Sequence, residues 1–299
     1  MIRKYGSEPY SIAVVHGGPG ALGSVAGLAR VLSSQYGVLE PIQSKYSISE
    51  LIEELKEQLT DHCSIPVTLI GHSWGAWLVA LFTEQYPMMV KKVIMIGSGP
   101  LEVKYVSEIM ERRKRNMTVE QKQEFDDIIL LLEQDNQPDK GQIHKDQTHK
   151  DQTNKDQTNK DHTNKELLDK DQTLARLGEL VGKSDDYHAI DIKTEKEDAL
   201  SPDGEAYAKI WPEAAKLRES GRLLEVFKNI KIPMVFIQGD SDPHPYEGVV
   251  MPLLENNINF EGIYKIEKCG HTPWKEKYGC NDFYRVLNSE INKQSISKK

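Results

Sequence analysis

Residues 67–86 read VTLIGHSWGAWLVALFTEQY, and this stretch decides the fold. Val67 to Ile70 is a short run rich in β-branched residues, the pattern of a strand covered on both faces. Ala76 to Tyr86 is rich in helix formers. Between them, Gly71-His72-Ser73-Trp74-Gly75 is a G-x-S-x-G motif in the strand-turn-helix context that its mechanics require. A serine on so tight a turn needs a strained backbone if its Oγ is to stand clear, and glycines two residues to either side keep side chains out of its way. Ser73 also falls at a helix N-terminus, whose free N–H groups favour developing negative charge. A glycine-flanked serine in an ordinary turn has no such meaning; the preceding buried strand gives it one.

The alternation extends outward in both directions. Ser11 to His16, Val93 to Ile96, Pro233 to Gln238 and Gly262 to Ile266 read as further strands, with amphipathic stretches between them, as in a parallel sheet wrapped by helices. Ser47 with Glu50 forms a capping box ahead of Leu51, Ile52, Leu55 and Leu59. Trp274 to Leu287 reads as a closing helix. From about Leu101 to Asn229 the period is helical with no convincing strand, including Thr118 to Glu133, which opens T-x-x-Q, and Asp203 to Glu219. This is an all-helical insertion, and it divides the chain into a first core part (residues 1–100), a cap (101–230) and a second core part (231–299). Such an insertion is expected above the carboxyl ends of the strands, where open α/β sheets bind ligands.

Composition narrows the partners. The 299 residues carry 38 Lys plus Arg against 46 Asp plus Glu, a formal charge of −8, which offers no general attraction to nucleic acid. No apolar stretch approaches the roughly 18 residues of a membrane span, and no apolar h-region follows the basic start, so a cytoplasmic protein is expected. Cys63, Cys269 and Cys280 are odd in number and lack paired metal spacing, which suits a reducing compartment.

The hydrophobic fraction of 38% is diluted by one segment. From His144 to Thr173 the chain reads HKDQT, HKDQT, NKDQT, NKDHT, NKELL, DKDQT. A period of five turns about 500° around a helix, so successive copies share no face. The tract is close to net neutral and too polar to offset its ordering entropy, which predicts a mobile loop or frayed helix. Metal binding through His144, His149 and His162 is the functional alternative, but they have no fixed neighbourhood of ligands.

Two further motifs complete a chemical constellation. After the first strand comes His16-Gly17-Gly18-Pro19-Gly20; after PMVFIQ comes Gly239-Asp240-Ser241-Asp242-Pro243-His244-Pro245; after GIYKIEK comes Cys269-Gly270-His271-Thr272-Pro273-Trp274. The chain resembles the α/β-hydrolases over nearly all of its length except the repeat. The HGGPG loop resembles that of proline iminopeptidases and their relatives, although GHSWG departs from the GGSWG usual there.

The resemblance implies a nucleophile-acid-histidine order of Ser73, Asp242 and His271, with Asp240 as the alternative acid. It also implies an oxyanion hole from the backbone N–H groups of Gly18 and Trp74, since glycines let an amide approach a substrate oxygen closely. His16 reads as a structural residue of its loop. The implied chemistry is acyl transfer to water on a small-molecule ester, lactone or amide, with neither metal nor organic cofactor. The alternatives are an aminopeptidase of the iminopeptidase type, whose amine-binding cap carboxylates no motif here assigns to Glu205 or Glu213, and a non-catalytic ligand receptor of the same fold.

Aromatic residues Trp211 and Tyr187 in the cap, with Trp274, are candidates to line a pocket, and aromatics at helical spacing also serve as core. Arg112-Arg113-Lys114-Arg115 reads as a solvated helix face. With only about ten residues before the first strand, a sheet of about six strands trimmed at its N-terminal edge is expected, in a monomer or homodimer.

Overall fold

A computed structural model of the chain describes residues 1–134, 169–190, 200–258 and 260–293. Its centre is a seven-stranded sheet in the order β1-β3-β2-β4-β5-β6-β7. The strands are β1 (Ile2–Tyr5), β2 (Tyr10–Val15), β3 (Gly37–Pro41), β4 (Val67–His72), β5 (Val90–Ile96), β6 (Met234–Gly239) and β7 (Gly262–Ile266). All neighbours run parallel except β1, which pairs antiparallel with β3 from Ile2 opposite Pro41 to Tyr5 opposite Val38. The sheet therefore has seven strands rather than about six, because the first residues supply an edge strand of their own.

Strand periodicity divides the core in two. On β2, β4, β5 and β6 the residues Ala13, Val15, Leu69, Val93, Met95 and Phe236 face one cluster. Their alternates Ile12, Val14, Ile70, Ile94, Ile96, Val235 and Ile237 face the other. Helices α1 (Ala26–Leu32) and α10 (Cys280–Asn292) cover the second face. The first face is covered by α2 (Ile48–His62) and α3 (Trp74–Gln85), together with later helices. The closing helix starts at Cys280 rather than Trp274, since Pro273–Lys275 forms a 3-10 turn and Gly279 precedes the helix.

Between β5 and β6 lie α4 (Val106–Arg115), α5 (Val119–Gln134), α6 (Lys170–Asp185), α7 (Gly204–Glu219) and α8 (Arg222–Asn229); α9 (Glu247–Glu255) follows β6. Thr118 opens α5 as the sequence predicts: its Oγ accepts the Gln121 N–H at 3.2 Å while its own N–H donates to Gln121 Oε1 at 2.9 Å. Met117, Phe125, Ile128, Leu132, Leu177 and Leu180 make a separate small core between α5 and α6. Ala206, Ile210 and Ala214 of α7 instead join the main core against Trp74 and Trp77.

Most of the pentapeptide repeat, with His144, His149 and His162, lies outside the described residues. Its last pentad does not, and it is ordered secondary structure. Asp169 caps α6 by accepting the Gln172 N–H at 2.8 Å, and Asp171 accepts the Gly204 N–H at 2.7 Å. No described helix is long and apolar enough to cross a membrane.

Candidate active site

The predicted residues stand at the carboxyl ends of three parallel strands, Ser73 after β4, Asp242 after β6 and His271 after β7. Ser73 follows β4 with φ 54 and ψ −119, a left-handed backbone that a non-glycine residue adopts only under strain. The flanking glycines make the turn possible: a β-carbon on Gly71 would lie 2.3 Å from Gly75 O, and one on Gly75 would lie 2.4 Å from Val15 O. The Ser73 N–H donates to Ile96 O of β5 at 2.9 Å, which fixes the turn against the neighbouring strand. Trp74 begins α3, so its N–H is among the amides that a helix leaves without an intrahelical partner.

The glycine-rich loop after β2 is tied to this elbow by a residue that the sequence did not single out, Gln43. The Trp74 indole N–H donates to Gln43 Oε1 at 3.0 Å, and the Gln43 amide donates back to His16 O at 3.2 Å. The Gln43 backbone N–H donates to His16 Nε2 at 3.3 Å, which leaves Nδ1 to donate to Gly17 O at 2.9 Å. Burial lowers the His16 pKa to about 4, so the ring is neutral and structural. Gly18 lies in this loop with φ 78.

Asp242, 1% exposed, accepts the His271 Nδ1–H on Oδ2 at 2.9 Å. Asp240, the alternative acid, instead accepts the Cys269 N–H at 3.2 Å and the Ser241 hydroxyl at 2.9 Å, so it ties the two loops together without touching His271. Burial alone would push the Asp242 carboxyl up; the charges and hydrogen bonds of His271 and His244 outweigh it and hold the group well below the usual carboxylate range. Burial opposes charge on His271 too, but Asp242 outweighs it and raises the His271 pKa above its ordinary value. His72 donates from Nε2 to His271 O at 2.9 Å and packs its ring 4.6 Å from that of His271; burial holds it neutral.

The helices inserted between β5 and β6 reach this centre through residues read from the sequence as a solvated face. Arg113 is paired in a two-pronged contact with buried Asp185, Nε to Oδ1 at 2.8 Å and Nη2 to Oδ2 at 2.6 Å. Arg112 donates to Asp242 O at 3.3 Å, besides pairing with Glu108. Within the basic run, Arg112 and Arg113 thus reach elements distant in sequence, while Lys114 pairs with Asp126 of α5 and Arg115 is exposed. Asp185 O accepts the His271 N–H at 2.8 Å. Beside it, fully buried Glu276 accepts the N–H groups of Tyr187, His188 and Gly270 at 2.6, 2.7 and 2.8 Å, which fastens the segment after α6 to the histidine loop.

Of the aromatic candidates, Trp211 stacks on Trp77 at 6.5 Å and on Tyr207 at 6.1 Å, where α7 meets α3. Tyr187 is 48% exposed and meets Tyr278 edge-on at 6.3 Å. Trp274 is 3% exposed and lies in the core between His72 and Phe283, turned inward by the Pro273–Lys275 turn; its ring is a core element rather than a pocket wall. A cavity of about 220 Å³ beside the glycine loop is lined by Ala21, Leu22, Ser24, Leu200, Pro202 and Lys275, among others.

Among the described residues one cluster has metal-ligand chemistry, Asp185 with His244 and His271, whose ligand atoms lie within 4.8 Å of one another. Both oxygens of Asp185 are occupied by the Arg113 guanidinium, and its positive charge opposes a cation there. The donor set does not fit a resident metal.

No family model and no curated protein matches the chain. Solved structures do. The chain is similar to a thermophilic esterase from Thermogutta terrifontis, at 13% identity and TM-score 0.57, covering 99% of this chain and 94% of that one. It is similar to a meta-cleavage product hydrolase from Pseudomonas fluorescens IP01, at 15% identity and TM-score 0.55, covering 97% and 93%. It is also similar to the N-acyl homoserine lactonase AidH, at 14% identity and TM-score 0.55, covering 100% and 94%. At such identities the likeness establishes the fold, and the chain has the α/β-hydrolase fold.

Proposed function

We propose that this protein is a serine hydrolase that cleaves a small carboxylic ester, lactone or amide through an acyl-enzyme. In this reading Ser73 attacks the carbonyl carbon, and His271 takes the Ser73 proton and later returns it to the leaving group. Asp242 orients the imidazole and stabilises its charged form. The oxyanion is met by the N–H groups of Gly18 and Trp74, a reading supported by the His16–Gln43–Trp74 network that ties the glycine loop to the start of α3. Water then attacks the acyl-enzyme with His271 as base.

The observation that carries this reading is the backbone of Ser73, strained at φ 54 on the turn between β4 and α3. Strain of this kind costs on the order of 1–3 kcal/mol and persists only where the surrounding structure over-determines it. The buried Asp242–His271 pair stands on the loops beside it.

The aminopeptidase reading gains less support. Glu213 accepts the Ile48 N–H at 2.9 Å at the start of α2, and Glu205 pairs with Lys170 and Lys209, so both candidate carboxylates already have partners.

The test is turnover of a panel of short acyl esters, lactones and proline-naphthylamide by purified protein and by Ser73→Ala. Ester or lactone hydrolysis that falls by several orders of magnitude in the variant supports the reading. Hydrolysis of equal rate in both overturns it.

A further inference from the structure

Asp242 serves two histidines. While Oδ2 accepts the His271 Nδ1–H, Oδ1 accepts both the backbone N–H of His244 at 2.9 Å and its ring Nδ1–H at 2.8 Å. The rings of His244 and His271 stack with centroids 4.4 Å apart and planes inclined by 29°. His244 is itself buried, and its carbonyl is held by the Gln238 side chain reaching from β6. The two imidazoles therefore lie side by side on one carboxylate, one per oxygen.

We propose that His244 is a positioning residue: by holding Oδ1 from two donors it fixes the carboxylate plane so that Oδ2 faces His271, and it draws off part of the negative charge that His271 would otherwise feel. This inference rests on the serine-hydrolase reading for its kinetic consequence, but its electrostatic consequence is independent of turnover.

The groups facing His244 decide which ring carries the proton. From its own loop there is Asp242; from the loop after β7, His271; from α4, the Arg113 guanidinium; and from the end of α6, Asp185. Burial, the neighbouring His271 and Arg113 all oppose charge on His244, and Asp242 favours it; the balance lowers the His244 pKa while that of His271 is raised. Two chemically identical side chains on one anion are thus driven apart, so that His244 stays a neutral donor and His271 is the ring that takes a proton. A carboxylate with fewer donors on Oδ1 would hold more charge on Oδ2 and stabilise the His271 imidazolium further.

Three variants separate this role from simple packing. His244→Phe keeps the ring stack and removes the donor. His244→Asn places an amide nitrogen where Nδ1 lies and restores it. His244→Gln places its amide nitrogen where Nε2 lies, which does not reach Oδ1, and it stands in for the Phe variant should that one fail to fold.

The His271 titration, followed by NMR of its ring, is expected to move upward in His244→Phe or His244→Gln and to return to the wild-type value in His244→Asn. Where the protein hydrolyses esters, the acidic limb of kcat/KM should move upward with it, and kcat should fall about ten-fold with KM little changed. An unmoved His271 titration in the Phe or Gln variant overturns the proposal, as does a shift that Asn fails to reverse. A wild-type protein without ester turnover would instead remove the hydrolase reading, and the NMR titration would still decide the role of His244.

Discussion

A β-carbon placed on Gly97 would lie 3.0 Å from His271 Nδ1 and 3.2 Å from Asp242 Oδ2. Gly97 follows β5, where Ile96 O takes the Ser73 N–H, and has φ 56. The same residue therefore borders the buried pair and the serine turn. Gly97→Ala forces either the Asp242–His271 bond or the β5 terminus to move, and it strains the backbone by about 1–3 kcal/mol. We expect kcat to fall about 100-fold together with a lower Tm. Gly178→Ala, in α6 with nothing near its β-carbon, should instead raise stability by roughly 0.5–1 kcal/mol and leave kcat alone. Wild-type kinetics in Gly97→Ala would show that this backbone position does not constrain the pair.

The His16 ring makes folding sensitive to acid. Its pKa is lowered from 6.5 to about 4 by burial, so between these values the unfolded chain binds a proton that the folded one does not. Stability is then present in full above pH 6.5 and is lost as pH falls toward 4, by about 3 kcal/mol for this group. His72, also held neutral by burial, acts in the same direction. His271, with its raised pKa, acts in the opposite one: its contribution is present below 6.5 and is lost as pH rises through its folded value. Urea unfolding at pH 7 and pH 4.5 measures the difference. His16→Asn keeps a donor for Gly17 O without a titrating ring and should flatten the slope; an equal slope in that variant would place the acid sensitivity elsewhere.

The repeat should divide sharply at residue 169. Removing residues 144–168, a polar tract whose only apolar residues are Leu167 and Leu168, is expected to leave both Tm and ester turnover unchanged. Asp169→Ala removes the cap of α6 and Asp171→Ala removes the acceptor for Gly204 N–H, and each should cost about 1 kcal/mol in thermal or urea unfolding. Loss of activity on the 144–168 deletion would assign that tract a role that its composition does not suggest.

The fold was legible where local signals agree with the global arrangement. The Ser73 turn, the strands around it and the capping boxes at Ser47 and Thr118 all rest on residues close in sequence. The unread parts depend on distant partners. Gly37–Pro41 does not read as a strand because it carries Glu40 and Pro41. It is a fully buried one because Tyr5 donates its hydroxyl to Glu40 at 2.7 Å and Arg3 stands at 3.5 Å, both from β1.

Likewise, Arg113 sits in a run that composition assigns to solvent, and only Asp185, 72 residues later, makes it internal. In the candidate site the order of Ser73, Asp242 and His271 was visible in the motifs. The ring of His244 on the second oxygen of Asp242, and Gln43 between His16 and Trp74, were not, because no spacing rule connects them. Trp274 follows His271 directly in the chain by three positions yet turns into the core, since the Pro273–Lys275 turn sets its direction.

The hydrolase reading stands or falls on whether Ser73 is an activated nucleophile. Incubation with a fluorophosphonate probe, followed by peptide mass spectrometry, measures this without knowledge of the substrate. A single covalent adduct on Ser73 is expected, abolished by Ser73→Ala and strongly slowed by His271→Ala in protein that remains folded. An unlabelled Ser73 in folded wild-type protein, or labelling that is indifferent to His271, would contradict it.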